Sequence, residues 1–379
     1  MSETASGAAP VKINRVIDTS ARLRHEGGPL FRRFARHRRG WKPLNDLQKA
    51  GAETFRRMVA SGELTYETIA CPLCDGEQSL RLSEIDKYGL EQCVVICRTC
   101  GFVFNNPMLT EASYIRYYDT IYRQIYMGYE RPVDSYFQEQ YEERGKRHVD
   151  YIHEVASNDL DGRRVVEIGC GSGGILQAFK ERGAHALGFD FDSRFVEFGA
   201  ERHGLELYST DYRDFAFDPP ADVVILSNVL EHILGPVAQL RDIRKIMAGD
   251  GLLFIEVPAL EGRRFGWSLQ LAHVSYFSAD TLDCVLRQAG FNVVDIRYHE
   301  TFINCVARCA EPDPSARPEK SYRETLAFLR RMERMGCLDY HKHQWYYPYT
   351  VGPLDMLIKA VRNPRLAMDV LAGRRSRAH

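Results

Sequence analysis

The stretch VVEIGCGSGG, residues 165–174, decides the fold. Two β-branched residues lead to a carboxylate, and the carboxylate leads to alternating glycines. That is the pattern of a buried strand running into a tight turn and then a helix. Gly169, Gly171 and Gly174 satisfy the GxGxxG spacing of a dinucleotide loop, and Asp190 follows 21 positions after Gly169. The same stretch also reads as GxGxG through Gly169, Gly171 and Gly173. Glu167 separates the two readings. A carboxylate two residues ahead of the first glycine suits a ligand with a cationic head and repels a pyrophosphate.

Outward from this loop, short β runs alternate with helical runs, which is the pattern of a doubly wound sheet. VVEIG, HALGFD, LELYS, DVVILSN, GLLFIEVP, FNVVDIRYH and FINCVARC are the strand candidates. No helical run separates the last two, so they are expected to pair antiparallel. The expected fold is α/β: a Rossmann-like doubly wound seven-stranded sheet with an antiparallel last hairpin. A small N-terminal zinc ribbon and helical extensions are expected to flank it.

Upstream, CPLC at 71–74 and CRTC at 97–100 are separated by 22 residues. Two CxxC turns at this spacing can close a tetrahedral four-thiolate site for Zn²⁺, through Cys71, Cys74, Cys97 and Cys100. Four thiolates leave no open coordination position, so the zinc is expected to be structural. The intervening SLRLSEIDKYGLEQCVVIC reads as a hairpin that joins the two turns. Cys93, Cys170, Cys284, Cys305, Cys309 and Cys337 are scattered and read as small apolar fillers.

The chain of 379 residues is long enough for two or three domains, and its 45% apolar content is that of a globular protein. The expected division is a basic, partly disordered appendage at 1–65, the ribbon at 66–108 and a helical connector or lid at 109–160. The sheet-bearing core follows at 161–312, then a helical extension with a basic tail at 313–379. YIRYYDTIYRQIYMGY, in the connector, has helical spacing. A formal net charge of −1 argues against a dedicated nucleic-acid binder. No apolar run reaches the roughly 20 residues that span a bilayer. With no secretory leader pattern either, a cytoplasmic location is expected. Between Arg22 and Lys42 lie eight Lys or Arg and one acid. This run reads either as a solvated tail or as a contact for an anionic surface, such as the inner membrane.

The succession of Glu167 and its glycines, GFD, LELYS with Asp211, ADVVILSNVLEHI and GDGLLFIEVP resembles the class I S-adenosylmethionine-dependent methyltransferases over about 165–300. The resemblance implies that Glu167 and the amides of Gly169 to Gly173 face the amino-acid end of S-adenosylmethionine. It implies that Asp190 accepts the ribose hydroxyls and that Asp211, with the backbone of Tyr212, meets the adenine amine. Ser227 and Asn228 would floor the site near the methyl group. For Asp211, a helix or turn cap is the alternative.

Two histidines fall where this fold keeps its acceptor pocket, His232 in SNVLEHI and His273 in AHVSYFS. Each is a candidate general base for a sugar hydroxyl. For each, a packing or capping role is the alternative. The segment CRTCGFVFNNPMLTEASYIRYY after the second knuckle extends the resemblance to about 68–310. It points to bacterial zinc-ribbon methyltransferases of sugar and polysaccharide pathways. Sugar C-methyltransferases of that group carry Tyr-x-Glu-His before YFS, whereas this chain has Gln270-Leu271-Ala272-His273. O-methylation of a sugar or glycan is therefore the expectation, with C-methylation of a nucleotide-linked keto sugar as the alternative. An RNA methyltransferase gripping phosphates through the ribbon and arm is a more distant one.

Overall fold

The computed structural model describes residues 28–332 apart from 37, 39, 129–131, 157–159 and 262–264, together with the short strand Val16–Ile17. Cys337, the rest of the C-terminal extension beyond residue 332 with its basic tail, and residues 22–27, 37 and 39 of the basic run lie outside the described residues.

Seven strands form the central sheet: β1 (Arg164–Ile168), β2 (His185–Phe189), β3 (Glu206–Tyr208), β4 (Ala221–Ser227), β5 (Met247–Pro258), β6 (Phe291–His299) and β7 (Phe302–Cys309). Their order across the sheet is β6-β7-β5-β4-β1-β2-β3. β4 runs parallel to both β5 and β1, and β1, β2 and β3 continue parallel, while β7 is antiparallel to β5 and to β6. The apolar run of β4 follows from this placement. A central strand covered by helices on both faces needs apolar side chains on both, and Val223, Val224, Ile225 and Leu226 are all fully buried. Between β1 and β4 the connections leave in opposite directions. The crevice outside the carboxyl ends of these two strands is where such sheets bind ligands.

The ribbon is a hairpin, Ser79–Ile85 against Glu91–Cys97, extended by Val103–Asn105. A fourth strand, Ser275–Tyr276, joins it from the insertion after β5. The ribbon and the sheet-bearing core thus share one small sheet, which the spacing of the cysteines did not reveal. Within the stretch read as an appendage, Asp46–Ala60 is a helix with an Asn45–Gln48 capping box. Its Ala52, Phe55 and Met58 are buried in the same core cluster as Ile121 and Ile125 of the connector. Further upstream, Leu30 and Phe31 donate backbone hydrogen bonds to Arg81 and Leu82 of the ribbon. The end of the basic run therefore packs on the ribbon.

Candidate active site

The turn after β1 has left-handed backbone at Gly169 (φ 75°), Gly171 (φ 54°) and Gly173 (φ 77°). At Gly169 a Cβ would come within 2.5 Å of the Val229 side chain, so glycine is needed for space as well as conformation. The loop is tied to β2 by amides of Gly169 and Cys170 donating to the Phe189 carbonyl at 2.7 and 3.1 Å. Beneath it, Glu167 is 2% exposed, and its Oε2 has no hydrogen-bond partner among the described residues. Burial, then the nearby Asp190, holds its carboxyl well above the usual range. A buried acid of this kind calls for a cationic partner.

Asp190 ends the run that β2 begins. Its two oxygens accept from the backbone N–H groups of Gly171 and Asp192, each at 2.9 Å. The amides fix the carboxylate in place and leave it lone pairs for two neighbouring hydroxyls. Arg123 of the connector reaches Asp190 at 3.5 Å and Asp192 at 3.3 Å, while its guanidinium lies 4.4 Å over the Phe195 ring.

Asp211 caps the short helix Tyr212–Asp214 by accepting from the Arg213 amide, and its carboxylate pairs with the Arg213 side chain at 2.5 Å. The structure thus contains the capping geometry named as the alternative. The Tyr212 side chain is buried, with its hydroxyl accepting from Gln239 at 2.8 Å. At the end of β4, Ser227 Oγ and Asn228 Nδ2 each donate to Glu256 Oε1 at 3.3 Å, and Asn228 has a left-handed backbone (φ 56°). Glu256, fully buried on β5, is also gripped by Arg144 at 3.4 Å, by Arg147 and by His148 at 3.2 Å. Burial raises its carboxyl, but the His148 hydrogen bond and the nearby cations outweigh that and leave it at about 2.

Beyond the end of β4, Leu230–His232 forms one short turn, and the insertion after β5 brings His273 to it. The two imidazoles meet edge to face with centroids 4.8 Å apart. Glu231 Oε1 lies 3.8 Å from His232 Nε2 and 4.0 Å from His273 Nε2. Burial pushes Glu231 up to about 8 and His232 down to about 3. His273 is lowered by burial and then by His232. Both histidines are therefore neutral near pH 7. Tyr118 Oη is 2.7 Å from His232 Nδ1, the Ala272 carbonyl accepts at 3.0 Å, and Tyr114 Oη donates to the His232 and Ala272 carbonyls at 2.7 Å. A carbonyl beside Nδ1 selects the tautomer with its proton there, which leaves Nε2 as the basic nitrogen.

The four CxxC sulfurs also meet. Cys71 and Cys100 are 3.6 Å apart, as are Cys74 and Cys97, and all four lie within 4.8 Å of one another. A tetrahedral zinc with bonds of about 2.3 Å needs sulfur separations of roughly 3.8 Å. Cys93 stands outside the group and is half-buried in the hairpin.

Sequence reading missed several residues at this site. Arg123, Arg144 and Arg147 come from the connector, where nothing in their spacing tells an inward arginine from a solvated one. Tyr114, Tyr118, Tyr122 and Tyr126 recur every four residues, which was a visible signal. The rings of Tyr118 and Tyr122 stack at 4.2 Å, and those of Tyr122 and Tyr126 at 5.4 Å. Glu231 was seen only as the neighbour of His232.

Residues 137–296 match the family described as Methyltransferase domain (Methyltransf_23), a span that holds the glycine loop, Asp190, both histidines and Glu256. These residues form a methyltransferase domain. A ubiquinone biosynthesis O-methyltransferase of Actinobacillus pleuropneumoniae serotype 5b is 32% identical over 120 residues, covering 28% of this chain and 50% of that protein. The highly reducing polyketide synthase ALT1 of Alternaria alternata is 29% identical over 211 residues, 46% of this chain and 8% of that protein. The chain spans half or less of the length of these relatives. Among solved structures, the 1,6-didemethyltoxoflavin-N1-methyltransferase of Burkholderia thailandensis superposes with a TM-score of 0.43 at 15% identity, over 58% of this chain and 96% of that one.

Proposed function

We propose that this chain is an S-adenosylmethionine-dependent methyltransferase that O-methylates a hydroxyl of a sugar or glycan. The observation that carries the cofactor is the pairing of two acids around one glycine turn. Glu167, buried and without a partner for Oε2, fits the cofactor's ammonium. Asp190, held by two amides, fits its vicinal ribose hydroxyls. Asp211 and the Tyr212 backbone would border the adenine, and Ser227 and Asn228 the methyl end. When bound, the cofactor supplies an electrophilic methyl carbon and its own leaving group.

The chain's residues then align the acceptor and take up its proton. His232 Nε2 is the nitrogen left free by the partners of Nδ1, and Glu231 lies beside it. His273 is the second candidate at the same place. The ribbon's four thiolates would hold a structural Zn²⁺ with no coordination position left for substrate. The basic N-terminal run is proposed as a contact for an anionic surface. No helix among the described residues is long and apolar enough to cross a membrane.

One observation favours the second reading, C-methylation of a nucleotide-linked keto sugar. The carboxylate that Gln270–His273 lacks beside its histidine is replaced in space by Glu231, 4.0 Å from His273. Two measurements test the proposal. Calorimetry should show S-adenosylhomocysteine binding with NAD inert; retention of NAD with no response to the nucleoside would overturn it. Mass spectrometry of the source organism's surface glycan, with wild-type chain or with His232→Ala and His273→Ala, should then show loss of one methyl ether. Loss of a branched C-methyl sugar instead would select the second reading.

A further inference from the structure

The Glu231 carboxylate is 2% exposed, and neither of its oxygens has a hydrogen-bond partner among the described residues. Among the described residues, the groups within ion-pair distance of it are two imidazoles, His232 and His273, whose Nε2 atoms lie 3.8 and 4.0 Å from Oε1. A buried carboxyl with no partner of its own, set beside two ring nitrogens, is a donor set that a divalent cation would complete.

We propose that Glu231, His232 and His273 form a divalent-cation site, separate from the four-cysteine cluster, that takes a first-row transition ion. One ligand atom from each of the three lies within 4.8 Å of the others. Bonds of about 2.1 Å would bring such atoms to roughly 3–3.5 Å, which small side-chain rotations can supply. His232 is arranged as ligating histidines are. Its Nδ1 is engaged by the Ala272 carbonyl and the Tyr118 hydroxyl, which fixes the ring and leaves Nε2 to bind. The backbone that carries the ligands is held too. The Val274 amide donates to the Glu231 carbonyl at 2.8 Å, and the Asn105 amide to the Val274 carbonyl at 2.9 Å. Two imidazoles and one carboxylate on one side leave open coordination positions on the other.

The inference rests on the reading of this end as the acceptor end, and it narrows the acceptor. A cation with adjacent open positions is suited to two neighbouring oxygens, the hydroxyl to be methylated and the one beside it. The ion would hold and polarise that pair. With His232 Nε2 on the ion, the base of the metal-free form is taken up; the ion-bound hydroxyl would instead lose its proton to solvent before its oxygen takes the methyl group, so the two forms are alternative states of one site.

Cobalt distinguishes the two metal sites. Co²⁺ is added to the full chain carrying zinc in its ribbon, and bound metal is counted by mass spectrometry after desalting. Absorption is recorded alongside, because cobalt on thiolates has intense charge-transfer bands and cobalt on nitrogen and oxygen only weak visible ones. The expected result is one Co²⁺ per chain with the weak bands and zinc retained. Glu231→Gln and His273→Gln should each weaken it by roughly tenfold or more. Binding of S-adenosylhomocysteine and an unchanged melting temperature show that each variant is folded. No cobalt beyond what displaces ribbon zinc, or cobalt binding indifferent to both substitutions, would overturn the site. That outcome returns the histidines to proton transfer. The methyltransferase reading fails separately, on cofactor calorimetry.

Discussion

Asp190 shows how a single carboxylate is prepared for a ligand. Two amides from different segments, one in the glycine turn and one entering the next helix, hold its two oxygens. The group is thus oriented before any ligand arrives. Asp190→Ala should weaken S-adenosylhomocysteine binding by roughly 100-fold, the loss of two charge-assisted hydrogen bonds of about 1.5 kcal/mol each. Calorimetry checks this, and Asp190→Asn should recover part of the loss. Gly169→Ala is a different kind of change. It forces a side chain into left-handed backbone and against Val229, so about 1–3 kcal/mol of stability should go, read by urea unfolding.

At the scale of elements, the helix Lys146–Ala156 is anchored to β5 through Glu256, with Arg147 and His148 on the helix and Arg144 just ahead of it. Glu256 lies at about 2, below its ordinary 4.5, so the folded state favours its ionised form. The stability it supplies is complete above pH 4.5 and is lost as pH falls through 2. Glu256→Gln should cost about 3 kcal/mol at pH 7, because Arg144 and Arg147 lose their counter-charge. The gap to wild type should narrow as pH drops from 4.5 towards 2, measured by urea unfolding at a series of pH values. A gap that stays constant across that range would contradict the assignment.

At the scale of the whole molecule, the ribbon and the acceptor end are one structure. Gln92 Nε2 donates to the Gln270 carbonyl at 2.7 Å and to the Tyr276 hydroxyl at 2.9 Å, and Asp86 Oδ2 accepts from the Leu271 amide at 3.1 Å. The strand Ser275–Tyr276 completes the ribbon's sheet. Stripping metal from the four cysteines should therefore loosen the His273 segment while leaving β1, β2 and β4 in place. Hydrogen exchange should speed up across 269–276 and the melting temperature should fall. Affinity for S-adenosylhomocysteine should change little, since none of its proposed ligands lies on the ribbon's sheet. Equal exchange in metal-loaded and stripped protein would show that the two parts are independent.

Local chemistry was legible along the chain. Glycines with positive φ, an acid ahead of them, β-branched runs and paired CxxC turns are each dictated by neighbours within a few residues. From these came the seven strands, the glycine turn and the ribbon hairpin. The antiparallel end followed from the short link between His299 and Phe302, which leaves no room for a crossover helix. Legibility ended where partners are far apart in sequence. That Glu231 faces His273, that Arg123 reaches Asp190 and that Gln92 holds the Gln270 carbonyl depends on packing between segments tens to nearly two hundred residues apart. The sequence by itself determined the elements and the turn that receives the ligand, because backbone conformation and side-chain periodicity are short-range. Tertiary structure alone decided which charges lose water together, and that desolvation sets the protonation of Glu231 and His232 and the character of the acceptor end.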